Sequence, residues 1–432
     1  MTIKIKNWDA LKSKPVAIFG HGVSGHGVAS LLDQFHWDYQ FFDQKDQPFN
    51  AENALSYAIV VVSPGFGSDH PWVLSAQKAG LAIYGELDFA STFTKNKIVA
   101  VTGTNGKTSL VTLLSHIWNK LGKQAVCGGN VGTSLSEVVT RGLRADTTVF
   151  LEVSSFQAEN IKFLSPDTVI WTNFSPDHLD HHPTIKDYFK AKNSLLKGLK
   201  EEGSAMCGLS VLDFARLHHL SLHRSVKGVS RNLIDALKLE PGSFLSTYPQ
   251  QENLALAYSF SLDSGVTEED FFGCIRSYQP EPSRLACIAK IDGVSFWNDS
   301  KATNFASTIA ASKNFRRPFY WIGGGKEKGE SLPHLIKGIK KSVAHAFVIG
   351  EVATKLSELL RRDGIAVTCC SSLIEAVKKA YNHAKHTTDI LFSPGFASFD
   401  MFENYIERGN IFNQVVLDLK KRHTPCTQED LL

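Results

Sequence analysis

Apolar residues along the chain fall into short unbroken runs that alternate with stretches of helical spacing. Val16-Ala17-Ile18-Phe19 is such a run, the pattern of a strand buried on both faces, and with Pro15 and Gly20 it predicts a strand over 15–20. Past a cluster of glycines, Val28, Leu31, Leu32 and Phe35 recur at three- and four-residue steps, which predicts an amphipathic helix. Further strands are expected at Gln40-Phe41-Phe42-Asp43 and Ile59-Val60-Val61-Val62. The alternation resumes at Lys97-Ile98-Val99-Ala100-Val101, which runs into a glycine-rich turn. Leu110, Leu113, Leu114, Ile117, Trp118 and Leu121 then share one helical face. Strands at Val149-Phe150-Leu151 and Val169-Ile170-Trp171 follow. A third group comprises Phe319-Tyr320-Trp321-Ile322, Ala346-Phe347-Val348-Ile349 and Ile390-Leu391-Phe392.

Apolar strands separated by helices predict an α/β protein with mostly parallel sheets, because parallel neighbours need a crossover connection. The three groups suggest three domains, residues 1–93, 94–280 and 281–432, with Pro280-Glu281-Pro282 as a linker. A length of 432 residues suits that number. Residues 203–250 show no clear period, and His218, His219 and His223 there read as surface.

Composition narrows the function classes. Forty-six Lys+Arg against 43 Asp+Glu leave a charge of +3, and 43% of residues are hydrophobic. This excludes a disordered chain and a dedicated nucleic-acid binder. Arg361-Arg362 and Lys420-Lys421-Arg422 read as solvated helix faces. No run approaches the roughly 20 apolar residues of a membrane helix. The first nine residues lack the apolar stretch of an export signal. Seven cysteines include no Cys-x-x-Cys pair, and the adjacent Cys369 and Cys370 read as core. A cytoplasmic protein without membrane or nucleic-acid partners is therefore expected.

The strongest chemical signal is Gly103-Thr104-Asn105-Gly106-Lys107-Thr108, set between a strand and an amphipathic helix. Backbone N–H groups of such a turn at a helix N-terminus suit a polyphosphate. Lys107 would neutralise the β- and γ-phosphates, and the Thr108 hydroxyl would ligate Mg²⁺. The loop is two residues shorter than the usual Gly-x4-Gly-Lys-Thr spacing. Gly20-His21-Gly22-Val23-Ser24-Gly25 follows the first strand and resembles a dinucleotide fingerprint, with Asp43 placed to meet a ribose. Ser63-Pro64-Gly65 forms a second turn at the same sheet edge. A dehydrogenase could use these turns, but it has no need of the second phosphate loop.

Glu152-Val153-Ser154-Ser155 ends one strand, which places Glu152 near the loop in a parallel sheet, and Asn173-Phe174-Ser175-Pro176-Asp177-His178-Leu179-Asp180 ends the next. Zinc at His178, His181 and His182 is disfavoured, since adjacent histidines do not easily share a tetrahedral site. Magnesium held by carboxylate, hydroxyl and phosphate fits better. His181 and His182 read as surface residues.

With these motifs in order the chain resembles the Mur ligases, ATP-dependent amide-forming enzymes of peptidoglycan synthesis. The resemblance runs from Gly20 through Gly128-Gly129-Asn130-Val131-Gly132 and Leu151-Glu152-Val153-Ser154-Ser155-Phe156-Gln157. It continues through Asn298-Asp299-Ser300-Lys301-Ala302-Thr303-Asn304 and Ser393-Pro394-Gly395-Phe396-Ala397-Ser398-Phe399-Asp400. The last two blocks resemble the branch that adds D-glutamate to UDP-N-acetylmuramoyl-L-alanine. The Asp-Asn-Pro-Arg of the diaminopimelate-adding branch is not found. The family implies a central P-loop ATPase domain between two Rossmann-like domains, and a cytoplasmic enzyme, here expected to be a monomer.

The resemblance also implies roles. ATP and two Mg²⁺ ions are the expected cofactors, with Gly103 to Ser109, Asn253, Arg284 and Asp299 around the nucleotide. Thr108, Glu152 and His178 serve the metals, and Asn130 orients the reacting end of the UDP substrate. Val23, Ser24, Asp43, Gln44, Lys45, Ser63, Pro64 and Gly65 form the uridine-diphosphate pocket. Lys192 matches a family lysine that becomes a carbamate with CO₂. Only the neutral amine reacts, and an ordinary lysine is about 0.1% neutral at pH 7.4. Lys186 and Lys190 read as solvated. Arg284 reaches the phosphates, and Lys301 faces the transition state. Thr303, Lys328, Ser398 and Tyr405 receive the amino acid, whose two carboxylates call for a cation and hydroxyls.

Two segments depart from the family. Where it has His-Asn-x-x-Asn the chain reads Pro249-Gln250-Gln251-Glu252-Asn253, and where it has Pro-His-Arg the chain reads Pro282-Ser283-Arg284. An active enzyme with an altered adenine pocket is expected. The alternatives are a ligase for another amino acid and a non-catalytic nucleotide-binding homologue.

Overall fold

The computed structural model describes residues 8–43, 48–130, 132–159, 161–179, 181–223, 225–235, 245, 247, 250–279, 283–384 and 387–423. Among these residues, sixteen strands form three sheets. The first contains β1 (Val16–Phe19), β2 (Tyr39–Phe42), β3 (Ile59–Val62) and β4 (Ala82–Gly85), in the order β2-β1-β3-β4 and all parallel. The second contains β5 (Lys97–Thr102), β6 (Ala125–Gly129), β7 (Thr148–Glu152), β8 (Thr168–Trp171), β9 (Ser204–Gly208) and β10 (Val226–Val229). Its order is β10-β9-β8-β5-β7-β6, again all parallel.

The third sheet contains β11 (Ala286–Ile291), β12 (Val294–Asn298), β13 (Phe319–Gly324), β14 (Val343–Ile349), β15 (Ala366–Cys369) and β16 (Asp389–Phe392). Its order is β11-β12-β16-β13-β14-β15, parallel except for the β11–β12 hairpin. That hairpin turns through Asp292 and Gly293, both at positive φ, which matches the twist of the paired strands.

The expected α/β class with parallel sheets is what the structure contains. All nine strands expected from apolar runs are present, and so are both helices, Val23–Gln34 and Lys107–Lys120. The second helix buries Leu110, Leu113, Leu114, Ile117 and Trp118. Residues 203–250, which lacked a clear period, include β9, β10 and the helix Leu209–Leu217. His219 and His223 are exposed, as expected.

The core reading of Cys369 is corrected: it is exposed, whereas Cys370 is buried. Cys369 ends an edge strand, and neighbouring positions point to opposite sides. His182 is likewise buried rather than on the surface. It follows a short turn in which the amides of His181 and His182 both donate to the His178 carbonyl.

The chain divides into two compact units. One carries the first and second sheets, and the other carries the third sheet together with residues 175–179 and 181–185, which lie between β8 and β9 in sequence. Within the first unit, two buried carboxylates of the helix Glu86–Ser91 bind backbone of the central region. Asp88 accepts the amides of Lys162, Phe163 and Leu164 at 2.6–3.0 Å. Glu86 Oε1 accepts the amide and hydroxyl of Ser136, both at 2.7 Å. Burial nonetheless pushes the Glu86 carboxyl up to about 7, against the opposing pull of those bonds.

A carboxyl raised on folding takes up a proton, so its burial penalty is absent below about pH 4.5 and complete above about pH 7. Glu86→Gln is therefore expected to leave stability unchanged near pH 4.5. It should raise stability by about 1–3 kcal/mol at pH 8. Urea unfolding at the two pH values measures this, and equal stability at both would refute it.

Candidate active site

The phosphate loop joins β5 to the helix Lys107–Lys120, as its sequence predicts. Gly103 and Gly106 have φ of +144° and +82°, conformations open to glycine. A Cβ at Gly103 would lie 1.9 Å from the Thr172 hydroxyl, and one at Gly106 would lie 2.5 Å from the Asn253 amide. Thr172 and Asn173, at the end of the neighbouring strand β8, brace the loop. Asn105 N donates to Asn173 Oδ1 at 2.9 Å, and Thr172 Oγ1 donates to the Asn105 carbonyl at 2.6 Å. Sequence reasoning missed Thr172, and it named Asn173 as the start of the Asp177–His178 segment without its role in bracing the loop. Their signal was position, at the C-terminal end of the strand paired with β5.

Below the loop lies a polar cluster in which Thr108, Glu152 and Lys192 are buried and Asn130 is exposed. Thr108 Oγ1 donates to Glu152 Oε2 at 2.7 Å, and Asn130 Nδ2 donates to Glu152 Oε1 at 3.0 Å. The sheet explains the meeting: Glu152 ends β7, and the register pairs it with Val101 of β5 and Gly129 of β6. Lys107 Nζ donates to the carbonyls of Gly103 and Thr104 at 3.0 and 2.9 Å. Lys192, from the helix Ile185–Lys197, is 1% exposed and donates to the Gly103 carbonyl at 2.8 Å. Its ammonium also lies over the Tyr188 ring. Lys186 and Lys190 on the same helix are exposed, as expected.

These residues fit a nucleoside triphosphate and Mg²⁺. Two positive-φ glycines leave no side chain over the loop's amides, and a hydroxyl and a carboxylate stand 2.7 Å apart at the helix N-terminus. That is the donor set Mg²⁺ takes beside phosphates.

At the first sheet, Gly20 has φ of +102°, and His21 N donates to Asp43 Oδ2 at 3.2 Å. Val23 and Ser24 open the helix Val23–Gln34, and Val23 is exposed. Ser63-Pro64-Gly65 follows β3, beside β1. The Ser63 hydroxyl is buried with no hydrogen-bond partner among the described residues, which leaves its polar capacity for a ligand. Gln44 and Lys45 lie outside the described residues, as do Val131, Asp180, Pro249 and the linker residues 280–282.

In the second unit, three candidate segments follow adjacent strand ends. Asp299 to Thr303 follow β12, Ser398 lies beyond β16, and Lys328 lies beyond β13. Reciprocal backbone bonds between Lys326 and Ala397, 3.0 and 3.2 Å, hold the last two segments together. Lys328 is half-buried and Ser398 buried. Asp299 accepts Leu285 N at 3.2 Å and Ser393 Oγ at 2.7 Å. Burial pushes its carboxyl up to about 7 despite these bonds and the nearby Arg284 and Arg408. Lys301 Nζ lies 3.8 Å from the centre of the Tyr405 ring, a cation–π contact.

His178 has φ of +53°, and its amide donates to Asp177 Oδ1 at 2.9 Å. Asp177 Oδ2 accepts Asn304 Nδ2 at 2.9 Å, and Asn304 also caps the helix Phe305–Ser312. Lys107, Thr108, Asn130, Glu152, Lys192 and Asn253 thus belong to the first unit. His178, Arg284, Asp299, Lys301, Thr303, Lys328, Ser398 and Tyr405 belong to the second.

Residues 101–231 match the Mur ligase middle domain. Over the whole chain, UDP-N-acetylmuramoylalanine–D-glutamate ligase from Thermoanaerobacter pseudethanolicus is 31% identical, covering 95% of this chain and 100% of its own. The chain belongs to the Mur ligase family. The enzyme of that name from Aquifex aeolicus is 33% identical to this Mur ligase over 92% of the chain and 97% of the relative. Among solved structures, UDP-N-acetylmuramate–alanine ligase from Thermotoga maritima has a TM-score of 0.58 at 14% identity. It covers 94% of this chain and 100% of its own. A MurF ligase from the same organism, solved with ADP, gives 0.57 at 14% identity, with 86% and 98% covered. These last two likenesses show the shared fold.

Membership makes this chain an ATP-dependent ligase of peptidoglycan-precursor synthesis. It also removes the dehydrogenase reading: in a Mur ligase the dinucleotide-like turn serves no redox reaction. No helix of the described residues is long and apolar enough to cross a membrane.

Proposed function

We propose that this Mur ligase joins D-glutamate to UDP-N-acetylmuramoyl-L-alanine in the cytoplasm, using ATP and two Mg²⁺ ions. The observation that carries the chemistry is the Thr108–Glu152–Asn130 cluster directly beneath the phosphate loop. The choice of amino acid rests on the relatives' shared name and on the residues in the Asp299–Thr303, Lys328 and Ser398 segments.

A carboxylate acylates poorly because its leaving group would be oxide. In the proposed reaction a carboxylate oxygen of the alanyl group attacks the γ-phosphorus, and the bond to ADP breaks. The amine of D-glutamate then attacks the carbonyl carbon of the acyl phosphate. Phosphate departs and the nitrogen loses a proton. Because carboxylate and γ-phosphate repel, the protein's task is to collect positive charge and to position the two.

Lys107 and the amides of Gly103 to Thr108 take the phosphates, with Ser109 on the first helical turn. Thr108 and Glu152 hold a Mg²⁺, which supplies charge neutralisation at the phosphates. His178 is a further metal ligand, Lys192 carries a carbamate, and Asn130 orients the alanyl carboxylate. Val23, Ser24, Asp43, Ser63, Pro64 and Gly65 bind the uridine diphosphate, with Asn253, Arg284 and Asp299 at the nucleotide. Lys301 faces the transition state, while Thr303, Lys328, Ser398 and Tyr405 take the amino acid. Domain limits of 1–93, 94–280 and 281–432 accord with one sheet in each.

The test is phosphate release from MgATP and UDP-N-acetylmuramoyl-L-alanine with D-glutamate, L-lysine or diaminopimelate added in turn. Release with D-glutamate alone is the expected result. Release with another amino acid discards the roles given to Thr303, Lys328 and Ser398. No release from folded protein that binds the UDP substrate would favour a non-catalytic homologue.

A further inference from the structure

Arg408 has no role in the proposed reaction, yet it is one of the largest side chains with almost no solvent exposure among the described residues. It stands on the first turn of the helix Tyr405–His423. Its guanidinium donates through Nη2 to the Ser300 carbonyl at 2.8 Å, through Nε to the Ser300 hydroxyl at 3.1 Å, and through Nη1 to the Phe396 carbonyl at 3.1 Å. The Ser300 hydroxyl in turn donates to the Tyr405 carbonyl at 2.9 Å. One side chain therefore ties together three peptide segments. They are the segments that present Lys301 and Thr303, Ser398, and Tyr405.

A planar guanidinium has donors at fixed angles, so it sets the spacing between its acceptors as well as attracting them. Lysine, a point charge on a flexible stem, would attract without setting that spacing. The fork is supported from the next turn, where Asn298 Nδ2 donates to the Gly409 carbonyl at 3.0 Å and to Asn413 Oδ1 at 2.7 Å. Gly409 leaves room for the close approach, since a Cβ there would lie 2.2 Å from the Ser283 hydroxyl.

We infer that Arg408 is a positioning residue for amino-acid selection, fixing the separation of the groups that receive the two ends of a dicarboxylic amino acid. The inference rests on the proposed assignment of Thr303, Lys328 and Ser398 to that subsite. A ligand held at both ends responds steeply to the distance between its receiving groups, whereas one held at a single end does not.

The experiment compares Arg408→Lys and Ser300→Ala with Thr303→Ala and Lys328→Ala in the phosphate-release assay, and follows thermal unfolding of each. Arg408→Lys and Ser300→Ala are expected to raise KM for D-glutamate by on the order of tenfold or more, with KM for ATP and for the UDP substrate within about twofold. The preference for D-glutamate over D-aspartate should narrow in step. Full rescue by lysine would overturn the inference by reducing Arg408 to a charge. So would a loss shared equally by all three substrates in proportion to the folded fraction. If Arg408→Lys does not fold, Ser300→Ala decides on the same criterion, because it removes one acceptor and leaves the guanidinium in place. If Thr303→Ala and Lys328→Ala leave KM for D-glutamate unchanged, the subsite assignment itself fails and takes the inference with it. A KM raised by those two but not by Arg408→Lys or Ser300→Ala refutes the inference alone.

Discussion

Lys107→Ala is expected to cut kcat by on the order of 10³-fold, with a smaller effect on the affinity for the UDP substrate. The lysine is the first residue of the helix that follows the glycine-rich loop, and its ammonium spans that loop through the carbonyls of Gly103 and Thr104. Alanine removes a full positive charge from the place where, in the proposed reaction, carboxylate and γ-phosphate approach each other. It also removes two charge-assisted bonds that hold the loop's shape. Lys107→Arg should restore little, because a planar fork cannot occupy the position that a compact ammonium takes between two carbonyls. Single-turnover phosphate release with a separate ADP-binding titration checks the split between binding and chemistry. Turnover within tenfold of the unmodified enzyme would exclude the proposed role.

Lys192→Ala should bring a loss of similar size, on the order of 10²- to 10³-fold in kcat. Lys192 is buried against the phosphate loop, with its Nζ 2.8 Å from the Gly103 carbonyl. Carbamate formation joins the amine nitrogen to the carbon of CO₂; one proton leaves the ammonium before attack and a second leaves the nitrogen after it, converting a cation to an anion. Activity should accordingly fall when CO₂ and bicarbonate are stripped from the assay and return on their addition. A carbon-13 carbamate resonance should appear with labelled bicarbonate and be absent in Lys192→Ala. Activity indifferent to bicarbonate, together with no such resonance, would leave Lys192 as a brace for the loop and remove the carbamate.

The parts of the fold that the sequence made legible are those buried on both faces. β1, β3, β5, β7 and β8 are almost wholly buried, so between their ends the side chains had to be apolar without a break. Edge strands escape that demand. β10 carries Lys227 and Gly228 at exposed positions, and β4, β11 and β15 are also partly exposed. β9 is buried but built from Ala, Met, Cys and Gly, residues without a strong strand signature.

In the site, Glu152 was legible because a residue ending a strand beside the loop strand must lie near the loop. Thr172 and Asn173 were not, because a threonine and an asparagine after a strand read equally well as an ordinary turn. Arg408 was hidden for a different reason. An arginine among polar residues near the start of a helix reads as solvated, and only the tertiary fold reveals the backbone carbonyls around it.

The place of β5 in the second sheet has a consequence for how the protein is made. β5 is the first strand of that sheet to leave the ribosome, yet it lies in the interior between β7 and β8. Its two partners begin only at Thr148 and Thr168. At roughly 5–20 residues per second, the nascent chain spends several seconds with this apolar strand open along both edges. During that interval it can pair with other growing chains, and the phosphate loop at its end has no neighbouring strand to shape it. Yield in a foreign host is therefore expected to respond more to slower translation, or to a holding chaperone during synthesis, than to added ligand.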